Sequence, residues 1–401
     1  MSQKVFTLIE VVLLGGLVVF VMYIGGAFKG RDPAPTLQPT ATPLPVKTAK
    51  PAPTLTATSD HPAETTIPSP TPTTPAITQP AGLIAFESNR DGNSEIYVVD
   101  AGNAFPINLT DNPAEDYAPL WSPDGSRLAF FSTRTGWLEI YAMNADGSNL
   151  KQLTKTKGTN TAYSYPLSWS PDGERILALR GRVWQVGQQP RPGSLDLIRA
   201  NGSGATTLYQ NKDTYVWQPS WSPDGNYVAL IMAGPLQESQ LYLGRPEETP
   251  FSLNRFTSNS CYNYTWSPDS KLTCYAGDRL AIVNPDGTGG QSLISFTSSY
   301  PTAILWLPTG DFMLYVASNF NAPKLKVYVV NDDGSDRREV LLDAEMMEGS
   351  ALSLSPDGQW LAYNSKADDQ ANIYIVNVYD TYQHAQLTIN AGDNLSPQWQ
   401  P

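Results

Sequence analysis

Histidine is nearly absent from this chain of 401 residues, which contains only His61 and His384. This scarcity removes most routes to a Ser/His/Asp triad or a histidine-rich metal site. Cys261 and Cys274 are the only cysteines, too few for a disulfide-dense scaffold. Basic residues are in the minority, because 26 Lys and Arg face 38 Asp and Glu and leave a formal net charge of −12. A phosphate backbone needs a dense basic surface, so nucleic acid is excluded as a partner.

Motifs of catalysis are also missing from the sequence. No Gly-x-Ser-x-Gly elbow for a serine nucleophile occurs. Several aspartates precede glycine without the spacing of an EF-hand loop, so we interpret them as hairpin residues; they are Asp91, Asp146, Asp286 and Asp333. His384 is expected at the surface, at a strand end. We therefore predict a protein that is not an enzyme and holds no cofactor or metal. The alternative is a surface hydrolase or lyase that works with carboxylates and a bound metal, or the recognition part of a peptidase system.

Long apolar runs are confined to the N-terminus. Residues Val11 to Phe28 form an uncharged, predominantly apolar run of 18, which as a helix spans about 27 Å and can cross a bilayer. Residues 1–28 are either an uncleaved transmembrane anchor or a signal segment cut near Gly25-Gly26-Ala27. The stalk that follows favours the anchor, because a stalk matters only when something stays attached.

A third interpretation comes from Phe6-Thr7-Leu8-Ile9-Glu10, which resembles the start of a mature type IV pilin. In that family glycine normally precedes the phenylalanine, and here the residue is Val5. The pilin helix also continues beyond the membrane, whereas Gly25, Gly26 and Pro33 end this one early. A pilin-like envelope role stays open as an alternative.

Residues 29–81 form a linker dominated by proline, threonine and alanine. Such a segment has almost no bulky apolar side chain to bury and cannot offset its own ordering entropy. At about 3.1 Å per residue in polyproline II, it reaches on the order of 150 Å when fully extended. We predict a disordered stalk that holds the rest of the chain away from the membrane.

Residues 82–401 repeat a pattern at intervals of roughly 40–50 residues, a period typical of propellers. The marker is Trp121-Ser122-Pro123-Asp124-Gly125, which recurs from Trp169 and Trp221. Variants begin at Trp266, Trp306 and Leu354, and Ser396 to Trp399 hold the equivalent place at the chain end. Each marker precedes short apolar runs that are separated by Gly-bearing turns, which predicts a four-stranded antiparallel meander.

Seven such units are counted, and the two ends of the region complement each other. The first unit, from Leu83, lacks a preceding marker strand, and the last marker has no strands after it. Closure of the ring by the C-terminal strand explains both, since it leaves no open edge. The predicted fold is an all-β, seven-bladed β-propeller with this velcro closure, six blades being possible.

These markers, the Ile-Tyr strands and the Asp-Gly turns resemble the repeats of the TolB propeller family. Similar repeats occur in tricorn and prolyl oligopeptidase-like peptidases. The resemblance implies a periplasmic or extracellular β-propeller that binds protein. Two features depart from TolB: its small N-terminal α/β domain is replaced here by the apolar segment and stalk, and its propeller has six blades. A docking role therefore cannot be transferred residue by residue.

Cys261 and Cys274 are expected on adjacent antiparallel strands around the turn at Ser267 to Ser270. Hairpin counting sets Cys274 opposite Asn263, so the cysteines share a face diagonally. This geometry leaves two possibilities, a disulfide or two buried thiols. A disulfide would fit an oxidising compartment.

The predicted ligand site lies at the end of the ring that collects the variable loops. Counting back from the markers places aromatic residues at the channel mouth: Tyr117, Tyr165, Trp217 and Tyr262. The longest insertion adds Arg180, Arg182, Trp184 and Arg191, with Lys155, Lys157, Arg90 and Arg134 nearby. A cationic, aromatic patch on an acidic protein suits an anionic polymer or a peptide carboxylate. The alternative is that the aromatics pack between blades and the basic residues are solvated.

The sequence therefore predicts a membrane-tethered, extracytoplasmic binding or scaffold protein with a monomeric head. Its expected partner is a protein, a peptide or a cell-envelope polymer such as a glycan, and its link to the membrane is the N-terminal helix.

Overall fold

The computed structural model describes residues 79–401 with short gaps, at 157–160, 183–190, 235–238, 257–260, 277–278, 297–298, 311, 320–321, 341, 343–350, 368–369 and 390–391. These residues form strands and turns, and no helix occurs among them. Accordingly, the described part of the chain contains no helix long and apolar enough to cross a membrane. The predicted anchor at 1–28 and all but the last residues of the predicted linker lie outside the described residues.

The strands form seven antiparallel sheets of four strands each, numbered here in chain order. Sheet 1 contains β1 (Leu83–Ser88), β2 (Glu95–Asp100) and β3 (Ile107–Asn108), joined by the last strand of the chain, β28 (Asn394–Trp399). Sheet 2 contains β4 (Asp116–Trp121), β5 (Arg127–Ser132), β6 (Glu139–Asn144) and β7 (Lys151–Gln152). Sheet 3 contains β8 (Thr161–Trp169), β9 (Arg175–Arg182), β10 (Arg191–Arg199) and β11 (Ala205–Gln210).

The remaining sheets follow the same order along the chain. Sheet 4 contains β12 (Tyr215–Trp221), β13 (Val228–Ala233), β14 (Gln240–Gly244) and β15 (Leu253–Arg255). Sheet 5 contains β16 (Cys261–Trp266), β17 (Leu272–Ala276), β18 (Arg279–Val283) and β19 (Gln291–Ser295). Sheet 6 contains β20 (Ser299–Trp306), β21 (Phe312–Asn319), β22 (Ala322–Asn331) and β23 (Arg338–Val340). Sheet 7 contains β24 (Leu352–Leu354), β25 (Trp360–Ala367), β26 (Gln370–Asn377) and β27 (His384–Gln386).

The core lies between the sheets rather than inside any one of them. Seven apolar clusters each join two consecutive sheets, and one of them packs Phe86 of β1 against Ile373 of β26, which joins sheet 7 to sheet 1. First strands of several neighbouring sheets contact each other, such as β4 with β8 and β8 with β12, which places the marker strands innermost. The prediction of an all-β propeller is confirmed.

The marker turns owe their sequence to a side-chain hydrogen-bond pattern. The Ser122 hydroxyl is buried, donates to Asp124 Oδ1 over 2.6 Å, and accepts the Arg127 amide over 3.0 Å. Hydrogen bonds from Ser122 and Ser126 hold the pKa of the Asp124 carboxyl at about 2. Gly125 follows with φ +66°, a conformation that favours glycine. The same serine-to-aspartate bond occurs at four further turns: Ser170–Asp172, Ser222–Asp224, Ser267–Asp269 and Ser355–Asp357.

The marker tryptophans connect neighbouring sheets. The indole N–H of Trp121 donates to the Gln398 carbonyl over 3.0 Å, and that of Trp169 donates to the Leu120 carbonyl over 3.2 Å. Both acceptors immediately precede the marker tryptophan position of the previous sheet. The indole N–H of Trp221 is buried without a hydrogen-bond partner in the described structure. The tryptophan in the marker thus fixes the spacing between sheets as well as filling the core.

A disulfide joins Cys261 and Cys274 within sheet 5, with a Cα–Cα distance of 5.5 Å. The predicted register is wrong by one residue, because Cys274 lies opposite Tyr264, and Asn263 lies opposite Tyr275. A bulge between Cys261 and Asn263 shifts the strand and brings the two cysteines within bonding distance.

Removal of residues 394–401 should lower the melting temperature of the protein by many degrees and broaden the transition. The truncation deletes β28, which pairs with β1 through residues such as Ile84 and Trp399. It also exposes the cluster between sheets 7 and 1. Thermal unfolding followed by near-UV circular dichroism measures the effect, with deletion of the exposed Pro401 alone as the control. A truncated protein that melts like the intact one would contradict the pairing.

Replacement of Ser122 by alanine should destabilise the protein by about 1–2 kcal/mol, because the Asp124 carboxylate and the Arg127 backbone amide both lose the buried hydroxyl as a partner. Ser126→Ala removes an exposed hydroxyl from the same aspartate and is the matched control, with a smaller expected loss. Denaturant unfolding of the two variants measures the difference. Equal stabilities would mean that the buried hydroxyl has no special role in the turn.

Candidate functional site

Strand direction divides the propeller into two ends. The marker turns and the Asp-Gly turns between the third and fourth strands lie at one end, called the turn end. The connections from the second to the third strand, and from each sheet to the next, lie at the other, called the loop end. The chain enters sheet 1 at the turn end, where the Ala81 carbonyl accepts the indole N–H of Trp399 over 3.1 Å and Gln400 N donates to the Leu83 carbonyl. The first and last described segments of the chain therefore both lie at the turn end. The loop end is on the opposite side.

Buried carboxylates fix the loops at the loop end. Glu139, at the start of β6, is fully buried and accepts from the hydroxyls of Thr154 and Thr156 over 2.7 and 2.9 Å. Thr154 Oγ1 in turn accepts the Ile140 amide. This network ties the loop after β7 back to the third strand of its own sheet.

The same arrangement recurs in two other sheets. Glu95 in sheet 1 accepts from Thr110 and from the Asn112 amide, and in sheet 7 Asn372 accepts from Thr388. The sequence signal is a polar residue before Ile-Tyr, followed about fifteen positions later by Leu-Thr. We did not assign this role from the sequence, because pattern reading does not show that the two segments meet.

Arginines at the loop end are held by internal partners. Arg134 lies 5.6 Å from the Phe130 ring centre and 4.8 Å from that of Tyr141, and it pairs with buried Asp116 at 2.8 Å. Its guanidinium is thus enclosed by two rings and a carboxylate.

Arg90 in sheet 1 occupies the same place between Phe86 and Tyr97, but its partner there is the neutral Asn394, at 2.7 Å. Burial lowers the pKa of Arg90. Arg180 pairs with buried Asp196 at 2.6 Å, and the hydrogen bond raises the pKa of the guanidinium. These three arginines support the scaffold of the loop end.

Of the predicted aromatic residues, the structure describes the side chains of Tyr117 and Trp217. Tyr117 lies near the start of β4, at the loop end as predicted. Its side chain is only 6% exposed and packs in the cluster between sheets 2 and 3. Trp217 is partly buried and packs against the clusters on both faces of sheet 4. Their place between sheets matches the alternative that the sequence left open, and a ligand role for them stays a prediction.

Most of the other predicted site residues, or their side chains, lie outside the described part of the structure. Lys155 is exposed in the loop after β7. Lys157 and Trp184 lie outside the described residues, as do the side chains of four more: Tyr165, Arg182, Arg191 and Tyr262. His384 is exposed on β27, and its Nδ1 lies 3.5 Å from the Thr381 carbonyl. Among the described residues, no group of three or more His, Cys, Asp or Glu is arranged to hold a metal ion.

Glu87 is an acidic residue at a position that holds Phe131 in sheet 2 and Asn364 in sheet 7. It is half-buried in β1 and faces sheet 2, from which the Ala118 amide donates to its carboxyl over 3.4 Å. The hydroxyl of Ser94, in the connection from β1 to β2, donates to the same carboxyl over 3.4 Å. Burial raises the pKa of Glu87 to about 7, and the nearby Glu115 adds to the rise, while the two hydrogen bonds oppose it. The junction of sheets 1 and 2 therefore carries a carboxyl that changes charge near neutral pH.

Comparison with known proteins agrees with this fold. A family model described as the TolB beta propeller domain matches residues 69–189. A Tol-Pal system protein TolB of Desulfosudis oleivorans is 36% identical over 76 residues, which cover 19% of this chain and 16% of that protein. The alignments span 16% to 50% of the curated relatives' own lengths.

Two solved structures are similar over most of the propeller. TolB from Acinetobacter baumannii has a TM-score of 0.52 at 17% identity, covering 81% of this chain and 68% of that one. An oligogalacturonate lyase from Vibrio parahaemolyticus has a TM-score of 0.61 at 15% identity, covering 75% and 87%. The described fold is a TolB-like β-propeller. At these identities the structural likeness concerns the fold alone, so the activity of the lyase is not transferred to the TolB-like propeller described here.

Replacement of Glu87 by glutamine should change how the stability of the TolB-like propeller depends on pH. Unfolded, the carboxyl titrates at about 4.5, and folded at about 7. Between these values the folded state keeps a proton that the unfolded state has released, so the contribution of Glu87 to stability falls as pH rises and is constant above about 7. A glutamine carboxamide at this position does not titrate, so the melting temperature of Glu87→Gln relative to wild type should rise between pH 5 and 8.

Glu174→Gln, which removes an exposed carboxylate from a marker turn, controls for the loss of one negative charge. Melting curves of the three proteins at pH 5, 6, 7 and 8 make the comparison. A constant offset between wild type and Glu87→Gln across this range would show that Glu87 titrates as in the unfolded chain.

Proposed function

We propose that this protein is a non-catalytic binding or scaffold protein of the cell envelope. In this proposal residues 1–28 anchor the chain in the membrane, residues 29–81 form a stalk, and residues 82–401 form a seven-bladed head outside the cytoplasm that is closed by β28. The head presents its loop end to a protein partner. The sequence carries the anchor and the stalk, and the described head supplies the direction of presentation.

The position of the chain ends is the single observation that carries the proposal. The stalk reaches the head at Ala81 and Gly82, where Gly82 O accepts the Ala101 amide over 3.0 Å at the turn end. A head tethered there directs its loop end away from the attachment point. The loop end is thus the surface that a partner can approach without interference from the stalk.

The loop end also has the mechanical character of a binding surface. Its loops begin and end on residues fixed by buried hydrogen bonds, such as Glu139 and Thr154, while the loop tips are exposed. Trp137 at one such tip is 37% exposed. Rigid scaffolds that display variable loops are a common basis of recognition.

Protein is the partner class that we favour. Relatives of similar sequence are named for the Tol-Pal system, an assembly of proteins. The described arginines Arg90, Arg134 and Arg180 already have internal partners, which gives an anionic polymer less free positive charge than the sequence led us to expect. An exposed aromatic side chain such as Trp137 suits a protein surface.

Photo-crosslinking from the two ends of sheet 2 tests the direction of presentation. Trp137 lies at the loop end and Leu150 at the turn end, and their exposures are similar at 37% and 45%. Each is replaced by a photoreactive benzoylphenylalanine in the full-length chain in its native membrane. The proposal expects a discrete protein adduct from position 137 and none of comparable yield from position 150.

The partner protein is then identified from the purified adduct. Reconstitution of the complex from the purified partner and the full-length protein completes the test. Adducts of equal yield at both positions, or an adduct at position 150 only, would contradict the loop-end site. The accessibility of the same two positions to added protease in spheroplasts tests the location of the head. Protection until lysis would contradict an extracytoplasmic head.

A further inference from the structure

The outer edge of sheet 3 differs from the outer edges of the other sheets. β11 has six residues, whereas the other fourth strands have between two and five. Its sequence, Ala205 to Gln210, contains no charge and no proline, the residue types that usually protect an edge strand. Within the described residues β11 pairs with β10 alone, so one side of it is open.

A cleft lies directly beside this edge, between sheets 3 and 4. Its volume is ≈ 400 Å³, within the range of small binding pockets. Sheet 3 contributes Tyr209, the connection to sheet 4 contributes Thr214, and sheet 4 contributes the rest of the lining: Met232, Ala233, Gly234, Tyr242, Phe251 and Leu253. None of these side chains is charged. The cleft continues the apolar cluster between the two sheets outward to the rim.

Tyr209 belongs to both features. A register shift opposite Leu195 and Asp196 leaves Leu208 as an extra residue in β11, and both Leu208 and Tyr209 pack against the cluster between sheets 3 and 4. Tyr209 thus lines the cleft while its backbone lies on the open edge. The Tyr209 hydroxyl lies 3.2 Å from Thr214 Oγ1, so the polar groups at the mouth of the cleft are paired with each other.

We propose that an extended peptide adds to sheet 3 along the open side of β11 and inserts an uncharged apolar or aromatic side chain into the cleft between sheets 3 and 4. An added strand lies about 4.8 Å from β11, and every second side chain on it points toward sheet 4. Backbone hydrogen bonds supply affinity in this mode of recognition, and the pocket supplies specificity. The site lies at the outer rim between sheets 3 and 4 and reaches the connection that carries Thr214. It does not include the loop tip at Trp137 of sheet 2.

The chemistry of the cleft limits which side chain it accepts. A charged group placed there would lose its hydration without a charged partner among the described lining residues, which is costly. A phenylalanine-sized group fills such a volume and removes apolar surface from water. The peptide is therefore expected to carry phenylalanine, leucine or a similar residue at the inserted position.

A capped octapeptide, Ac-Thr-Val-Thr-Phe-Thr-Val-Thr-Gly-NH2, serves as the probe, because its alternate residues include one phenylalanine on the apolar face. Its binding to the full-length protein in lipid nanodiscs is measured by calorimetry. A glutamate version in place of phenylalanine should bind at least about tenfold more weakly. A version with backbone N-methyl groups on the pairing edge keeps the side chains but cannot form the strand pairing. Its affinity for the protein should fall to a similar extent.

Ala233→Phe fills the cleft without removing a core side chain and should lower the affinity for the probe at least about tenfold. Ala385→Phe changes a half-buried alanine on the outer strand of sheet 7 and is the matched control, with an expected effect below about twofold. Hydrogen exchange of the wild-type protein supplies a readout that needs no variant. Saturating probe should slow exchange in residues 205–210 and leave β27 unchanged.

The proposal is overturned if the phenylalanine probe does not bind. It is also overturned if the N-methylated version binds as well as the probe, since the cleft would then take a side chain without strand addition. Binding that Ala233→Phe leaves unchanged, or that gives no protection in β11, excludes this site. These results are independent of the crosslinking at position 137, so failure here leaves the loop-end proposal standing.

Discussion

The burial of both faces of every sheet is the constraint on which the rest of this structure depends. A four-stranded sheet of short strands has no core of its own and is stable only against neighbours. Each sheet here shares one apolar cluster with the sheet before it and another with the sheet after it. A break at any junction would expose two of these faces, so the pairing of β28 with β1 matters to the whole ring.

This constraint also decides where function can reside. Residues between the sheets contribute to packing, as Tyr117 and Trp217 do. The two ends and the outer edges are the surfaces that remain accessible for recognition. At the loop end, the buried carboxylates and enclosed arginines are paired within the scaffold and stabilise it. Binding there then depends on the loop tips, and on the rim it depends on backbone groups that a fourth strand leaves open.

The sequence predicted the repeat and the strands well, because both are local. The Ser-Pro-Asp-Gly turn is encoded within five residues, and Ser122 and Asp124 satisfy each other whatever surrounds them. Contacts between sheets could not be predicted from the sequence, since they join segments far apart in the chain. The bond from Trp121 to Gln398 spans 277 positions. The internal partners of Arg90 and Arg180, the register around Cys261 and the half-buried position of Glu87 could be learned only from the folded ring.

Hydrogen exchange of the C-terminal strand tests the central claim most directly, because it reports on the pairing of β28 with β1 in the intact protein. Residues 394–399 should exchange as slowly as residues 83–88 of β1, with which they pair, and far more slowly than the short outer strand β3. Slow exchange at the level of global unfolding would mean that β28 opens only when the whole propeller opens. Rapid exchange of residues 394–399, as in a frayed chain end, would contradict a ring closed by its last strand.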